Sequence, residues 1–434
     1  MPALDIVFLY EHAARELDIA CAIAARLRRM SLDVEVVHWP TGFPTAVLRL
    51  QPKIVVLPFC YIEQSYDALL AYWRTSTFFN MAWEQLFYLG NQKAKTPRGE
   101  FATKHVIHHA WSDFYAAYLH GKGISSDRII LNGQPAYTLY DSPYRGYFPS
   151  RQELSDQYGL DTTRRWVFFP ENYNWAFYSD FMLEQFIKSG QSPDDVDAMR
   201  EFCDLSLKAV LGWCAKAAQG DIELILRPRP STTKDEFEDF VKRVLFERPE
   251  HLHIIQEGSI REWILASDIV VSSYSTSLIE AAVAGKPVFI LEPLPIPASL
   301  HVDWHDLLPH IKTEQHFLQV CVGEKNKTDM RLSKWARQTL MGRGDAIQNL
   351  TGFLTSLARN EINTPPIPTR KVAIPELKFV PPAWMWSAYR RLKQWFRYRK
   401  SGGIEPEFVK DALPTPVIEK MIAEWTIVLD GKEA

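Results

Sequence analysis

The chain has 434 residues, enough for two or three domains with separate hydrophobic cores. Its apolar (47%) and charged (23%) fractions are those of an ordinary globular protein, and a net charge of -3 gives no global sign of nucleic-acid binding. The first ten residues lack the features of a signal peptide, and no apolar run approaches about 18 residues. We therefore expect a cytoplasmic protein without a membrane-spanning helix.

The cysteines and histidines give no sequence-level sign of a disulfide or a metal site. No Cys-x-x-Cys pair occurs, and we find no histidines clustered at metal-ligand spacing. An odd number of scattered cysteines is typical of a reducing compartment. The cysteines are Cys21, Cys60, Cys203, Cys214 and Cys321.

Short β-rich runs alternate with helical stretches through the first 145 residues. A helix is predicted over Ala13–Met30. Strands separated by helix-length segments indicate βαβ units and a parallel sheet, so we expect a Rossmann-like domain over residues 1–145. The predicted strands are Asp5–Tyr10, Val34–His38, Ile54–Leu57, His105–His109 and Arg128–Leu131.

The alternation resumes after a connection at residues 140–150 that is rich in proline, glycine, serine and aromatic residues. It predicts a second doubly wound α/β domain over residues 151–358. Two such domains in tandem commonly bind ligand in the cleft between them, at the carboxyl ends of their strands. The predicted strands are Trp166–Phe169, Glu223–Leu226, Leu252–Ile255, Asp268–Val271 and Pro287–Leu291, and the helices Ala198–Gln219, Lys234–Phe246 and Ser277–Ala284.

The C-terminal region differs in composition from the two domains. Residues 359–383 are proline-rich and indicate an extended linker, and residues 384–434 form a tail with two predicted helices, over 384–400 and 415–425. The first has six basic residues between Arg390 and Lys400, interleaved with Leu392, Trp395 and Phe396. This pattern favours peripheral binding to an anionic membrane. The alternative is an ordinary helix packed across the domain junction.

A hydroxyl-rich turn lies between the strand at Asp268 and the helix at Ser277. Ser273, Ser275 and Thr276 occupy the end of the strand and the start of the helix, where free N–H groups and the helix dipole favour an anion such as a phosphate. Glu280 follows on the first turns of that helix. The alternative is that the hydroxyls only cap the helix.

Two arginines and one glutamate are predicted at neighbouring strand ends. Arg227 and Arg229 alternate with prolines after the strand at Glu223, and an arginine clamps phosphate but exchanges no protons. Glu171 follows the strand at Trp166 among aromatic residues that would raise its pKa and suit acid/base chemistry. The alternatives are surface arginines and a helix-capping carboxylate. No P-loop or dinucleotide-binding fingerprint is present.

Three of these strings resemble GT-B glycosyltransferases of surface-carbohydrate biosynthesis. Residues 170–177 are similar to the retaining β-Kdo transferases, and residues 227–230 and 268–287 to CMP-sugar and CDP-glycerol transferases; Arg229 stands where the latter motif has a histidine. The resemblance implies a GT-B-like fold of two Rossmann-type domains facing a cleft. It also implies a nucleotide-sugar donor, a glycan or lipid-linked acceptor, and no cofactor or metal.

The resemblance assigns the N-terminal domain to the acceptor. Glu11, His12 and Arg15 follow the first strand, where the family has a comparable Arg-Glu-Leu string, and they either line the acceptor pocket or form a solvated first turn. His108-His109 resembles a segment near the cleft in CDP-glycerol transferase relatives. Neighbouring strand residues point to opposite faces, so at most one histidine meets ligand; we take His109.

The predicted function is transfer of Kdo or a related acidic sugar from a CMP donor to a capsule or O-antigen glycan. Arg227, Ser273 and Ser275 would hold the donor phosphate without a metal, and Glu171 would act as acid/base. If configuration is retained by double displacement, a second carboxylate attacks the anomeric carbon, for which Asp235 is the candidate. The alternatives are a transferase using CDP-glycerol or another nucleotide donor, and a non-catalytic GT-B scaffold binding glycan or partner enzymes.

Overall fold

The computed structural model of the chain describes residues 3–61, 66–86, 92, 95–188, 190–230, 232–323, 329–367, 379–400 and 411–431. Parts of the predicted linker and tail, residues 368–378, 401–410 and 432–434, lie outside these ranges, as do the side chains of residues 394 and 397–400. The chain divides into two compact units. The first contains residues 1–87, 91–147 and 338–434, and the second contains residues 88–90 and 148–337.

The first unit is built on a six-stranded parallel sheet in the order β2-β1-β3-β4-β5-β6. Its central strands are buried along nearly their whole length, because helices cover both faces of a parallel sheet. The strands are β1 (Ala3–Tyr10), β2 (Val34–His38), β3 (Gln51–Leu57), β4 (Thr77–Asn80), β5 (Val106–Ala110) and β6 (Ile129–Leu131). The connecting helices are α1 (Asp18–Arg29), α2 (Trp39–Arg49), α3 (Asp67–Tyr72), α4 (Glu100–Lys104), α5 (Asp113–Gly121) and α6 (Pro135–Thr138).

The second unit contains a six-stranded parallel sheet in the order β12-β11-β10-β7-β8-β9. Its strands are β7 (Arg165–Pro170), β8 (Ile222–Arg227), β9 (Leu252–Ile254), β10 (Ile269–Ser272), β11 (Val288–Leu291) and β12 (His310–Ile311). Its helices are α7 (Arg151–Tyr158), α8 (Asp180–Lys188), α9 (Pro193–Ala217), α10 (Lys234–Val244), α11 (Ile260–Ala266), α12 (Ser277–Val283) and α13 (Glu314–Val322), and α14 (Met330–Leu340) ends beyond the unit's boundary.

Local sequence signals fix where several helices begin. Ser150 with Glu153 forms a reciprocal capping box at α7, and Thr233 with Glu236 forms another at α10. Each box satisfies N–H groups that have no partner inside the helix. Helix α7 ends at Gly159, whose φ of 69° lies in the left-handed region that glycine adopts without strain.

The C-terminal part of the chain returns to the first unit. Helices α15 (Ala346–Ala358) and α17 (Thr415–Leu429) pack on α1, and α16 (Ala383–Lys400) packs on α2. The apolar side of α15 drives this placement, with Ile347, Leu350 and Leu354 fully buried. Residues 338–358 therefore belong to the first unit, whereas the sequence assigned them to the second. Within the described residues, no helix is both long enough and apolar enough to cross a membrane.

Candidate functional site

Three neighbouring strands of the second unit bring the predicted donor residues to one edge of the sheet. Strand β7 lies between β10 and β8, with Pro170 paired to Arg227. The hydroxyl of Ser272, the last residue of β10, donates a hydrogen bond to the Pro170 carbonyl. Because all three strands are parallel, the residues that follow them meet at the same edge.

Glu171 is a buried carboxyl at that edge. Its side chain is 3% exposed, and Oε1 accepts a hydrogen bond from the backbone N–H of Tyr173. Oε2 is buried without a hydrogen-bond partner. Loss of hydration on burial raises the pKa of Glu171 from 4.5 to about 7, against the opposing effects of the Arg229 charge and of backbone hydrogen bonds. The carboxyl can therefore exchange a proton near neutral pH.

The aromatic residues that follow Glu171 along the chain pack against the core of this unit. Tyr173 is buried in the core cluster of this unit, with Trp175 and Phe177 packed against it. Trp175 also stacks on Phe186, with ring centroids 4.9 Å apart. Burial of Glu171 in this part of the unit is the main cause of its raised pKa.

The two arginines have different roles. The guanidinium of Arg227 is 6% exposed and donates to the carbonyls of Glu257 (2.7 Å) and Gly258 (2.6 Å). It therefore secures the loop before α11, a role that the sequence did not predict. Arg229 is half-buried, and its charge lowers the pKa of Glu171. Arg229 is thus the cation beside the candidate acid/base.

The hydroxyl-rich turn separates into a buried and a capping part. The hydroxyl of Ser273 is buried beside the phenol of Tyr173, without a hydrogen bond of standard geometry. Ser275 accepts from the backbone N–H of Ser277 (3.3 Å) and pairs with its hydroxyl (2.8 Å), which is the capping alternative. Thr276 is exposed. We call Glu171, Arg229 and Ser273 the Glu171 site.

The remaining two predicted residues of this unit lie elsewhere. Glu280 faces the buried guanidinium of Arg261 at 3.7 Å, an ion pair between α12 and α11. Asp235 is exposed on the first turn of α10, and among the described residues no hydrogen bond or ion pair joins it to Glu171.

The predicted acceptor residues of the first unit belong to a network of paired charges after β1. The guanidinium of Arg15 pairs with two carboxylates, each at 2.6 Å: the buried one of Glu16 and the partly exposed one of Glu84. Nδ1 of His12 lies 3.1 Å from the carboxylate of Asp411, and its Nε2 lies 3.6 Å from Glu11. These six residues, here called the Asp411 network, are Glu11, His12, Arg15, Glu16, Glu84 and Asp411.

Sequence reasoning missed Asp411, which lies about 400 positions from its partners along the chain. Its carboxylate accepts from the backbone N–H of Ala13 (3.1 Å), and its carbonyl accepts from the hydroxyl of Tyr10 (3.1 Å). Asp411 is 6% exposed. No local pattern predicts this contact, because it depends on the C-terminal chain returning to β1.

His109 is not available to a ligand. It is fully buried in β5, with Nδ1 3.3 Å from the Met81 carbonyl and Nε2 3.3 Å from the Asn132 side chain. Burial lowers its pKa from 6.5 to about 4, so it stays neutral. This enclosed position gives no support to the predicted acceptor role of His109, because both faces of the parallel sheet are covered.

One group among the described residues has the geometry of a metal site, and it lies away from the Glu171 site. Glu223, His251 and His253 bring one ligand atom each within 4.8 Å of one another. His251 and His253 are two residues apart in the sequence, but α10 separates them from Glu223, so no local pattern predicts the group. Only the tertiary structure therefore brings these three side chains together.

Comparison with known proteins identifies the fold. No protein-family model and no curated protein sequence matches the chain. Among solved structures, the wall teichoic acid polymerase TagF matches with a TM-score of 0.53 and 12% identity over 83% of this chain and 90% of that one. MnaA from S. aureus, solved with UDP, matches with a TM-score of 0.52 and 11% identity over 84% of this chain and 99% of that one.

These likenesses extend over both units and define the class of the fold. Two parallel six-stranded sheets with interleaved helices form the two-domain GT-B fold, here with a helical C-terminal extension. The predicted fold class is confirmed. At this level of identity the likeness establishes the architecture, and the activity has to be argued from the residues.

Proposed function

We propose that this chain is a glycosyltransferase of bacterial surface polysaccharide synthesis that transfers Kdo or a related acidic sugar from a CMP donor to a glycan acceptor. One observation carries the proposal. At the carboxyl ends of β7 and β8, a buried carboxyl with a pKa of about 7 and an unpartnered oxygen lies beside the charge of Arg229. GT-B relatives solved with nucleotide ligands support a nucleotide-linked donor.

Arg229 and Ser273 are proposed to hold the donor phosphate. The guanidinium keeps its positive charge at every working pH, and its planar N–H groups match phosphate oxygens. A fixed cation stabilises the negative charge that develops on the leaving nucleotide. The proposed step therefore uses neither a metal nor a cofactor. The same charge would suit the carboxylate of an acidic sugar.

Glu171 is proposed to act as the general base for the acceptor. In its ionised form it takes the proton of the attacking acceptor hydroxyl. The hydroxyl oxygen then bonds to the anomeric carbon, and the nucleotide leaves with the electron pair of the broken C–O bond. A pKa near 7 suits this role, because proton transfer is most effective when the pKa is close to the working pH.

A retaining outcome would need a second carboxylate as nucleophile. Asp235 remains the residue to test, although its exposed position on α10 gives no support to that role. Variants of Asp235 decide whether the reaction uses it.

A second candidate is a transferase that uses CDP-glycerol or another nucleotide donor. The observation that favours it is the likeness to TagF, a structure of which was obtained after soaking with CDPG (TM-score 0.52, 11% identity). The phosphate-holding roles of Arg229 and Ser273 would be the same. The two candidates differ in the group transferred, so a panel of donors separates them.

The acceptor is assigned to the first unit, and α16 is proposed to bring that unit to a membrane carrying a lipid-linked acceptor. Trp386 buries one side of α16 against Phe43 of α2, with ring centroids 5.3 Å apart. Leu392, Trp395 and Phe396 are exposed, at 53%, 46% and 51%. Exposed aromatic residues next to basic ones suit an anionic lipid interface.

The decisive experiment measures transfer, donor hydrolysis and nucleotide binding for the wild type and Glu171→Gln. The donors are CMP-Kdo, CMP-sialic acid, CDP-glycerol and UDP-sugars. We expect Glu171→Gln to lose transfer by roughly 100-fold or more, because a positioned base contributes about 10²–10⁴-fold. Nucleotide binding should be retained, because Arg229 and Ser273 are unchanged.

Glu238→Gln on α10 is the matched control and should be as active as the wild type. Loss of nucleotide binding in Glu171→Gln would show a structural role for Glu171. A wild type that binds nucleotide but neither transfers nor hydrolyses any of these donors would contradict the proposal and favour a non-catalytic GT-B scaffold.

A further inference from the structure

A glutamate and two histidines lie together in the second unit, with Glu223 in β8, His253 in β9 and His251 directly before β9. Strand β8 pairs with the edge strand β9 so that Leu224 is opposite Leu252. Glu223 therefore lies opposite His251, and Ile225 is opposite His253. Residues two apart on a strand share a face, so the side chains of Glu223, His251 and His253 project to the same side of the sheet. We call them the His–Glu cluster.

The distances within the His–Glu cluster are those of potential metal ligands. Nε2 of His253 lies 2.5 Å from Oε2 of Glu223, and Nδ1 of His251 lies 3.4 Å from Oε1. Tetrahedral zinc holds N and O ligand atoms roughly 3.3 Å apart, because its bonds are about 2.0–2.2 Å long. The two distances to Glu223 lie on either side of that value, and all three ligand atoms lie within 4.8 Å of one another, so side-chain adjustments would admit an ion.

Exposure and charge also suit a cation. Glu223 is 2% exposed, whereas His251 and His253 are 27% and 21% exposed, so the cluster has a buried carboxylate and an open side. Arg164 lies 4.0 Å from Glu223 and pairs at 3.7 Å with both Asp161 and Asp221. With neutral imidazoles, these three carboxylates and one guanidinium have a formal charge of -2.

We propose that Glu223, His251 and His253 form a binding site for a divalent transition metal such as Zn²⁺. Two imidazoles and one carboxylate are ligands that zinc accepts, and the fourth position is left for water on the open side. Glu171 follows Pro170, which pairs with Arg227 of β8. Glu223 lies four residues before Arg227 on the same strand, roughly 13 Å away at 3.3 Å per residue. The metal is therefore separate from the Glu171 site and joins the short edge strand β9 to β8.

The test uses the full-length protein and Co²⁺ as a spectroscopic substitute for Zn²⁺. We expect the wild type to bind one Co²⁺ with the visible absorption of a four-coordinate N/O site, and Zn²⁺ to displace it. Zn²⁺ should also raise the melting temperature, because a ligand that binds only the folded state stabilises it. Neither readout depends on transferase activity.

His251→Ala and His253→Asn remove one ligand each at partly exposed positions, and circular dichroism checks that they fold. Each should bind Zn²⁺ at least about 100-fold more weakly than the wild type, since even a changed partner of a metal ligand costs about 10–100-fold. His120→Ala, which removes an exposed imidazole in the first unit, should bind normally. No metal binding by the wild type, or unchanged binding by both folded variants, would overturn the proposal.

Discussion

Both units carry polar residues after the sheet strand that comes first along the chain, β1 in one and β7 in the other, but the charged side chains are partnered differently. In the Asp411 network the carboxylates have side-chain partners, with Arg15 on Glu16 and Glu84, and His12 beside Asp411. In the Glu171 site a buried carboxyl keeps one oxygen without a partner. Paired charges stabilise a fold. A buried carboxyl without a full set of partners has a raised pKa, and its free oxygen can bind a ligand.

The largest expected difference is in how stability depends on pH. Burial keeps Glu171 protonated up to about pH 7, while in the unfolded chain it ionises near pH 4.5. Between these values the folded state binds more protons, so the free energy of unfolding falls as pH rises. Glu171→Gln lacks this loss. We compare the free energy of unfolding of this variant with that of the wild type at each pH. The difference should be more favourable to the variant above pH 7 than at low pH, by roughly 3 kcal/mol.

Urea unfolding at about pH 4 and about pH 8 measures this gain. Glu238→Gln, measured at the same two pH values, is the control for replacing a glutamate by glutamine. A difference between Glu171→Gln and the wild type that is the same at both pH values would mean that Glu171 ionises normally in the folded protein.

The next effect concerns Arg229. Arg229→Met removes the charge that lowers the pKa of Glu171, so the pH at which kcat/KM rises should move upward from about 7. Donor affinity should fall by roughly 10–100-fold, because a charge-assisted contact is lost. Pre-steady-state nucleotide binding and pH–rate profiles measure the two effects.

Arg229→Lys provides the comparison for that variant. It keeps the charge and should leave the pH profile close to that of the wild type, while the affinity falls because the planar fork is lost. If Arg229→Met leaves both the pH profile and the affinity unchanged, Arg229 is not the cation of the site.

A smaller effect is expected in the Asp411 network. Asp411→Ala leaves the N–H of Ala13 without its carboxylate partner and should lower the free energy of unfolding by about 1–3 kcal/mol. Asp430→Ala breaks an ion pair with Arg29 at the surface and should cost about 0–1 kcal/mol. Equal effects in urea unfolding would show that Asp411 is not an internal partner of β1.

The smallest expected effect is on membrane binding, which we predict for the surface of the first unit and not for that of the second. Trp395→Ser on α16 should weaken co-sedimentation with anionic phosphatidylglycerol vesicles several-fold, about 1 kcal/mol, because an interfacial aromatic ring is lost. Phe246→Ser removes a fully exposed ring from the second unit and should bind vesicles like the wild type. Equal losses in both variants, or no vesicle binding by the wild type, would contradict a membrane surface on α16.

The sequence predicted most of both sheets, because buried parallel strands are short apolar runs with helix-length gaps between them. It missed β4, whose Thr77–Asn80 segment contains only two strongly apolar residues. It missed β12 as well, which has only two residues. Such strands exist because they complete a sheet that their neighbours have already formed, which is tertiary information.

At the site, the sequence alone predicted that Glu171 follows a buried strand and is next to aromatic residues along the chain, an environment that would raise its pKa. Only the tertiary structure decided that Arg229 rather than Arg227 lies beside it, that His109 is enclosed, and that Asp411 reaches β1. It also placed Glu223 beside His251 and His253. Strand ends follow from local patterns, whereas the direction of a long side chain and contacts between distant segments depend on packing that no local pattern encodes.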